Sequence, residues 1–254
     1  MFVACSTLCF GRHPLEEALR LIGELRFSKF EVAIHEHGCQ LKPSQVAADV
    51  PAAAARLRYG PGLTPVAFSV DMDAAGEEEW HRQFHAVCRL ARITAVPLVS
   101  VRPASLEVPL EREVQRLGQL IRIADSEGIL VCAATLTGTH TQTPDLAIAL
   151  CEKVPGLGLT LDPSHFTAGP HQAKNYDNVF PHVRHAHLRD TGRGPNQFQV
   201  RVGQGEVEYG RIISHLQRQR YDRLLTVAIH DVADAPFAME TEVRKLKFLL
   251  ESLV

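Results

Sequence analysis

An α/β protein built as a (β/α)8 barrel (a TIM barrel) is what this sequence predicts, and three observations carry the prediction. Short apolar runs alternate with helix-period segments from one end of the chain to the other, eight of each. Repeated βα units require parallel strands buried on both faces, because the crossover helices cover them. The chain has 254 residues, a length that eight such units fill in one closed barrel. An open, doubly wound sheet is the alternative, but no G-x-G-x-x-G follows the first apolar run.

The elements follow in order. Phe2–Phe10 is the first apolar run, and in "HPLEEALRLIGELRF" Leu15, Leu19, Ile22 and Leu25 recur at helical spacing. "KFEVAIH" (29–35) precedes an alanine-rich helix near 43–58, and "TPVAFSV" (64–70) precedes the helix "EEEWHRQFHAVCRLARI". "PLVSV" (97–101) leads to "LEREVQRLGQLIRIADSEG", where Gly128 is placed as a C-terminal cap. "ILVCAATL" (129–136) leads to a helix that opens with Thr143 as N-cap and Pro144 in the first turn. "LGLTLD" (157–162) is followed by a less regular, helix-prone segment around 171–181. "VRHAHLRD" (183–190) passes through a glycine-rich loop to "EYGRIISHLQRQR", and "RLLTVAIH" (223–230) to the closing helix "METEVRKLKFLLESL". No linker, low-complexity tract or charge block divides the chain, so residues 1–254 are expected to form one domain.

Composition narrows the function. Hydrophobic residues make up 45% and charged residues 22%, which is ordinary for a globular protein. A formal net charge of −2 gives no overall attraction to nucleic acid or to an anionic membrane. Six cysteines are scattered without a C-x-x-C pair, which reads as reduced thiols in a cytoplasmic protein. The apolar start "MFVACSTLCF" lacks a basic leader and is too short to span a bilayer, so it reads as a strand.

In a barrel of this kind function sits where the strands end. Those ends carry Glu31 and His35 on the second strand, Asp162 and His165 on the sixth, His185 and His187 on the seventh, and His230 on the eighth. An acid followed three residues later by an imidazole, at the end of a strand, looks like part of a metal site.

The segments "LTLDPSHF", "HAHLRD", "RVGQGEVEYGRIISHL" and "YDRLLTVAIH" resemble, in order, the second half of the sugar phosphate isomerase/epimerase family, whose barrel is xylose-isomerase-like. That family has D-x-x-H after the sixth strand, H-x-K/R-D at the seventh and G-x-G before the seventh helix. "FEVAI" also resembles its second-strand element. The resemblance implies a divalent metal held by Glu, Asp, His and Glu from strands five to eight. Asp162 and His187 match two of the four, whereas Ala134 and Ala228 occupy the two glutamate positions. No acidic residue lies anywhere in 128–144, so the strand-five loss does not depend on the alignment register.

Two methyl groups in place of carboxylates matter chemically. Mg²⁺ and Mn²⁺ want several anionic oxygens, and Zn²⁺ usually wants three or four protein ligands. The same loss removes the carboxylates that would move protons in enediolate chemistry. The resemblance implies Asp162, His165 and His187 as catalytic residues and His165 and Arg201 as substrate contacts, and Glu31 and His230 are expected to join the substrate contacts from their places on the second and eighth strands. Asp162 and His187 are left as a partial metal site. No cofactor, or a weakly bound Mn, Mg, Co or Zn ion, is expected, with a small sugar-like ligand as partner. His230, Asp231 or Glu31 are neighbours that a rebuilt site would use. A non-catalytic binding or assembly protein on the same barrel is the second reading. A DNA repair nuclease of the endonuclease IV kind is disfavoured by the missing ligands and the absent basic charge.

Simpler roles stand beside these. Asp162 before Pro163 can start an Asx turn, which is compatible with a ligand role. Gly203 and Gly205 can be turn chemistry, Arg201 a solvated loop residue, and His81 and His85 surface histidines on an outer helix.

Overall fold

In the computed structural model the described residues are 1–254 except 59–61, 169–171, 173–174, 234 and 236. Eight strands close on themselves in sequence order: β1 (Phe2–Ser6), β2 (Lys29–His35), β3 (Thr64–Asp71), β4 (Leu98–Val101), β5 (Leu130–Ala134), β6 (Gly158–Leu161), β7 (Val183–Leu188) and β8 (Leu224–Val227). Every neighbouring pair is parallel, including β1 with β8. The predicted (β/α)8 barrel is the observed fold.

Parallel neighbours require crossovers, and helices supply most of them. They are α1 (Leu15–Glu24), α2 (Pro43–Ala48), α3 (Val50–Arg56), α4 (Glu77–Ile93), α5 (Leu110–Glu127), α6 (Pro144–Lys153), α7 (Ser164–Thr167), α8 (Tyr209–Arg218) and α9 (Met239–Leu253). The Thr143 hydroxyl accepts from Leu146 N, and Gly128 closes α5 at φ 72°, as the sequence predicts. The single helix expected near 43–58 is two. Asp49, at φ −152°, leaves the helical region and caps α3 by accepting from Ala52 N, and Pro51 fits the first turn of the new helix. The expected segment around 171–181 falls partly outside the described residues; its described end is a 3₁₀ turn, Asp177–His182, containing Pro181.

Strand alternation sorts side chains into two layers. Phe30, Val32, Ile34, Phe68, Val99, Val131, Leu159, Ala186 and Leu225 join the main core between barrel and helices. The interior face is different. Its lower layer is a small apolar cluster of Ala67, Leu98 and Cys132. On β2 and β7, the alternate residues Glu31, His185 and His187 point inward instead. Small apolar groups at one end of the barrel and ionisable groups toward the other place the chemistry at the C-terminal mouth. Among the described residues no helix is long and apolar enough to cross a membrane.

Candidate functional site

At the mouth the strand ends enclose a cavity of about 110 Å³. Its lining includes His35 from β2, Asp71 from β3, Arg102 after β4, Ala134 from β5, Asp162 and His165 after β6, His187 from β7 and His230 after β8. With Leu8 after β1, the ends of all eight strands thus send a residue to one small volume. A larger cavity, about 570 Å³, lies between α4 and α5 and is lined by residues such as Trp80, His81 and Arg112. It is built from helix surfaces and has no convergence of strand ends. The mouth is therefore the better site despite its size.

Asp162 is fixed from several directions. Its backbone N donates to Thr135 Oγ1 at 2.8 Å, and Thr135 Oγ1 donates to its carbonyl at 3.1 Å. One carboxylate oxygen accepts from Ser164 N at 3.0 Å, which is the Asx-type turn that Asp-Pro favours. The other accepts from Arg189 Nη2 at 2.9 Å. The same guanidinium donates to Ser164 Oγ at 2.8 and 3.1 Å and to His165 Nε2 at 3.1 Å. Both partners of this ion pair are buried. Burial alone would push the Asp162 carboxyl up, but Arg189 and then His165 and Ser164 hold it down at about 2.

His165 Nε2 faces Arg189 Nη2 at 3.1 Å, and on the other side of the ring Nδ1 lies 3.3 Å from Thr137 N, which donates to it, and 3.2 Å from Thr137 Oγ1. Burial pushes this imidazole down, and Arg189 adds to the effect against the opposing pull of Asp162. Both ring nitrogens are thus engaged by neighbours.

Beneath this layer His187 Nε2 lies 2.6 Å from Glu31 Oε2, and His185 Nδ1 lies 3.6 Å from the same oxygen. His185 and Glu31 have no exposure. His185 Nε2 is 2.8 Å from Thr226 Oγ1 on β8. Burial drives His185 down to about 3, so it is neutral. Burial opposes the charged forms of Glu31 and His187 too, yet their mutual attraction outweighs it: Glu31 is brought down to about 2 and His187 is raised.

Asp162, His165, His187 and His230, singled out from the sequence, converge on one cavity. Glu31 lies on the same side of the barrel but below the cavity wall, paired with His187. Arg201 does not join them. It is exposed and absent from the cavity lining, because Val202 N donates to Glu242 Oε2 on α9 and draws that turn outward. Asp231, a neighbour suggested for a rebuilt metal site, is instead engaged by Arg12, at 2.8 Å from both Nε and Nη2. His81 and His85, at helical spacing on α4, face Gln119 and Glu127 respectively.

The family's metal position can be tested directly on these residues. Ala134 lines the cavity with a methyl group, and Ala228 is buried with another. The Asp162 carboxylate already carries a guanidinium. Of the four ligands that the resemblance implies there, two are methyl groups and the one carboxylate is paired with a guanidinium, so these residues do not fit a hard divalent ion.

Some contributors escaped the sequence reading. Arg189 lies two residues beyond His187 and so shares its inward face. Asp71 and Arg102 stand at the ends of β3 and β4, where the strand-end rule would have found them. The "RD" and G-x-G motifs explain one another: Asp190 Oδ2 accepts from Gly203 N at 2.7 Å and Gly205 N at 3.0 Å. Gly203 sits at φ +89°, and a Cβ on Gly205 would collide with the Asp190 carboxylate. Gln199 clamps the β8 end, donating to the His230 carbonyl at 2.9 Å and accepting from His230 N at 2.7 Å.

Known structures share the whole architecture. A D-allulose 3-epimerase from Methylomonas sp. superposes with a TM-score of 0.77 at 14% identity, covering 100% of this chain and 98% of that one. A xylose isomerase-like TIM barrel protein from Mycobacterium smegmatis, solved with magnesium, gives 0.77 at 19% identity, with 100% and 98% covered. The IOLI protein, solved with a zinc atom, gives 0.76 at 17% identity, with 100% and 99% covered. No curated protein matches the sequence. The xylose isomerase-like TIM barrel family matches residues 15–249. With that match over nearly its whole length and the closed barrel just described, the chain belongs to the xylose isomerase-like TIM barrel family.

Proposed function

We propose that the protein binds a small polyhydroxylated or carbonyl compound at the barrel mouth, and does so without the divalent ion that the family resemblance implies at the rim. The observation that carries this reading is the buried Arg189–Asp162 pair, with Ala134 in the lining of the same cavity and Ala228 buried after β8. The guanidinium sits against the one rim carboxylate that would have faced a metal.

The groups around the cavity suit such a ligand. His35 and His230 are imidazoles held below their usual range mainly by burial, able to donate or accept one hydrogen bond from a hydroxyl. Ser69, Ser100 and Asp71 add acceptors, and Arg102 adds a cation at the rim. Asp162 positions Arg189 and His165 rather than acting as a free base. Without the strand-five and strand-eight glutamates, the standard proton transfer lacks both its carboxylates and its cation, so standard isomerase or epimerase turnover is expected to be weak. The same pair of alanines favours a second reading, a non-catalytic binding or assembly protein on this barrel. The setting is expected to be cytoplasmic.

Saturation-transfer NMR with D-allulose and other ketoses and aldoses, in chelator, tests binding; one-dimensional spectra of the same samples over time test turnover. Binding with little turnover supports the reading. Turnover that appears only on adding Mn²⁺ would overturn its metal-free part, and absence of binding by any sugar would overturn the ligand class.

A further inference from the structure

We infer that Glu31, His185 and His187 form a divalent-cation site of zinc-like preference on the barrel axis, below the position that the family resemblance implies. A carboxylate oxygen, Nδ1 of His185 and Nε2 of His187 all lie within 4.8 Å of one another, and all three residues are buried. Ligands about 2 Å from a tetrahedral ion stand roughly 3.3 Å apart. The contacts of 2.6 and 3.6 Å to Glu31 Oε2 bracket that spacing.

A plain hydrogen-bonded cluster accounts for these residues incompletely. The Glu31–His187 contact satisfies one oxygen and one nitrogen. Among the described residues Glu31 Oε1 and His185 Nδ1 make no hydrogen bond of ordinary length and are closed to solvent, although Ser6 helps to hold the Glu31 carboxylate and His185 Nδ1 lies 3.6 Å from its other oxygen. An unpaired buried polar atom costs on the order of 1–3 kcal/mol, and two on facing side chains are unusual. A cation takes lone pairs from both. His185 is already oriented for it: Nε2–H can donate to Thr226 Oγ1, which leaves the Nδ1 lone pair toward Glu31. A hydrogen bond on the far ring nitrogen is the usual support of a metal-ligating histidine.

Two imidazoles and one carboxylate suit Zn²⁺ or Co²⁺ better than Mg²⁺ or Mn²⁺, which prefer oxygen. Three protein ligands leave a coordination position open. His187 lines the mouth cavity, so the site is reached from there. Two of these three residues are absent from the ligand set that the resemblance implies, and the inference stands apart from any sugar ligand.

The full chain, stripped with chelator and dialysed, is titrated with Zn²⁺ by calorimetry and with Co²⁺ by visible absorption, with no sugar present. One equivalent is expected to bind. Glu31→Gln and His185→Asn should each weaken binding at least roughly tenfold, whereas His85→Asn, on the outer helix α4, should not weaken it. If either ligand variant fails to fold by circular dichroism, zinc-edge X-ray absorption of the wild-type complex decides: two imidazole nitrogens support the site, and one or none overturns it. No binding by the wild type overturns it. So does binding lost in His85→Asn and kept in Glu31→Gln.

Discussion

Arg189 Nη2 donates to Asp162 Oδ2 across 2.9 Å, and both side chains are buried at the mouth of the barrel. The two residues end neighbouring strands, β6 and β7, so the pair also staples the rim on the side where the resemblance implies a metal. A guanidinium is always charged and presents several donors in one plane. It satisfies Asp162, Ser164 and His165 together, leaving the rim with an internal cation.

Removing one partner of that pair should be costly. Arg189→Met or Asp162→Asn leaves a buried group uncompensated, and each is expected to lower unfolding free energy by about 3–5 kcal/mol. The double variant should lose less than the sum of the two. Urea unfolding of all four proteins measures the coupling; strict additivity would show that the pair does not act as a unit.

The pair also sets an acid limit. The Asp162 carboxyl is held at about 2, below its unfolded value of roughly 3.9. A depressed folded value contributes stability that is complete above the unfolded value and lost as pH falls through the folded one. The contribution is about 2 kcal/mol above pH ~4 and fades toward pH ~2. The stability gap between wild type and Asp162→Asn, measured by denaturant titration from neutral pH downward, should therefore narrow below pH ~4. A gap that widens there would contradict the assignment.

Gly205→Ala tests the lock between the two motifs. The added Cβ would meet the Asp190 carboxylate and the Thr191 carbonyl, both fixed by backbone bonds. A loss of about 1–3 kcal/mol is expected, in line with overpacking elsewhere. Gly210→Ala, on α8 with nothing close to its Cβ, is the control and should be neutral or slightly stabilising. Equal thermal midpoints for the two variants would count against the lock.

How much of this was legible in the sequence follows from the range of each interaction. Strand runs, the Thr143 cap and the Gly128 cap are local, and they read correctly. So does the convergence of Asp162, His165, His187 and His230, since strand ends of a barrel share one face. The partners are another matter. Glu31 meets His187 across 156 positions, and Arg12 takes Asp231 across 219. Only closure of the barrel, with β1 beside both β2 and β8, brings such residues together. Arg189 stood in a quoted motif, yet nothing in its local sequence names Asp162 as its partner. Arg201 follows a loop whose path is set by Glu242 on α9, another distant contact. The break at Asp49 was local, and its signal, Asp followed two residues later by Pro51, was present in the alanine-rich run.

The central claim is that the rim position holds an internal cation and lacks the carboxylates for a hard metal. The direct measurement is the thermal midpoint of the wild type and of the Ala134→Glu/Ala228→Glu variant, each with and without millimolar Mn²⁺. Mn²⁺ is the right probe because the histidine-rich trio below favours zinc-like ions. The account predicts no metal-dependent rise in the wild type. In the variant, two facing carboxylates that repel each other without an ion should give a rise, about 2.7 kcal/mol of stabilisation if Mn²⁺ reaches 100 times its dissociation constant. A rise in the wild type equal to that of the variant would show that the native rim holds the metal after all.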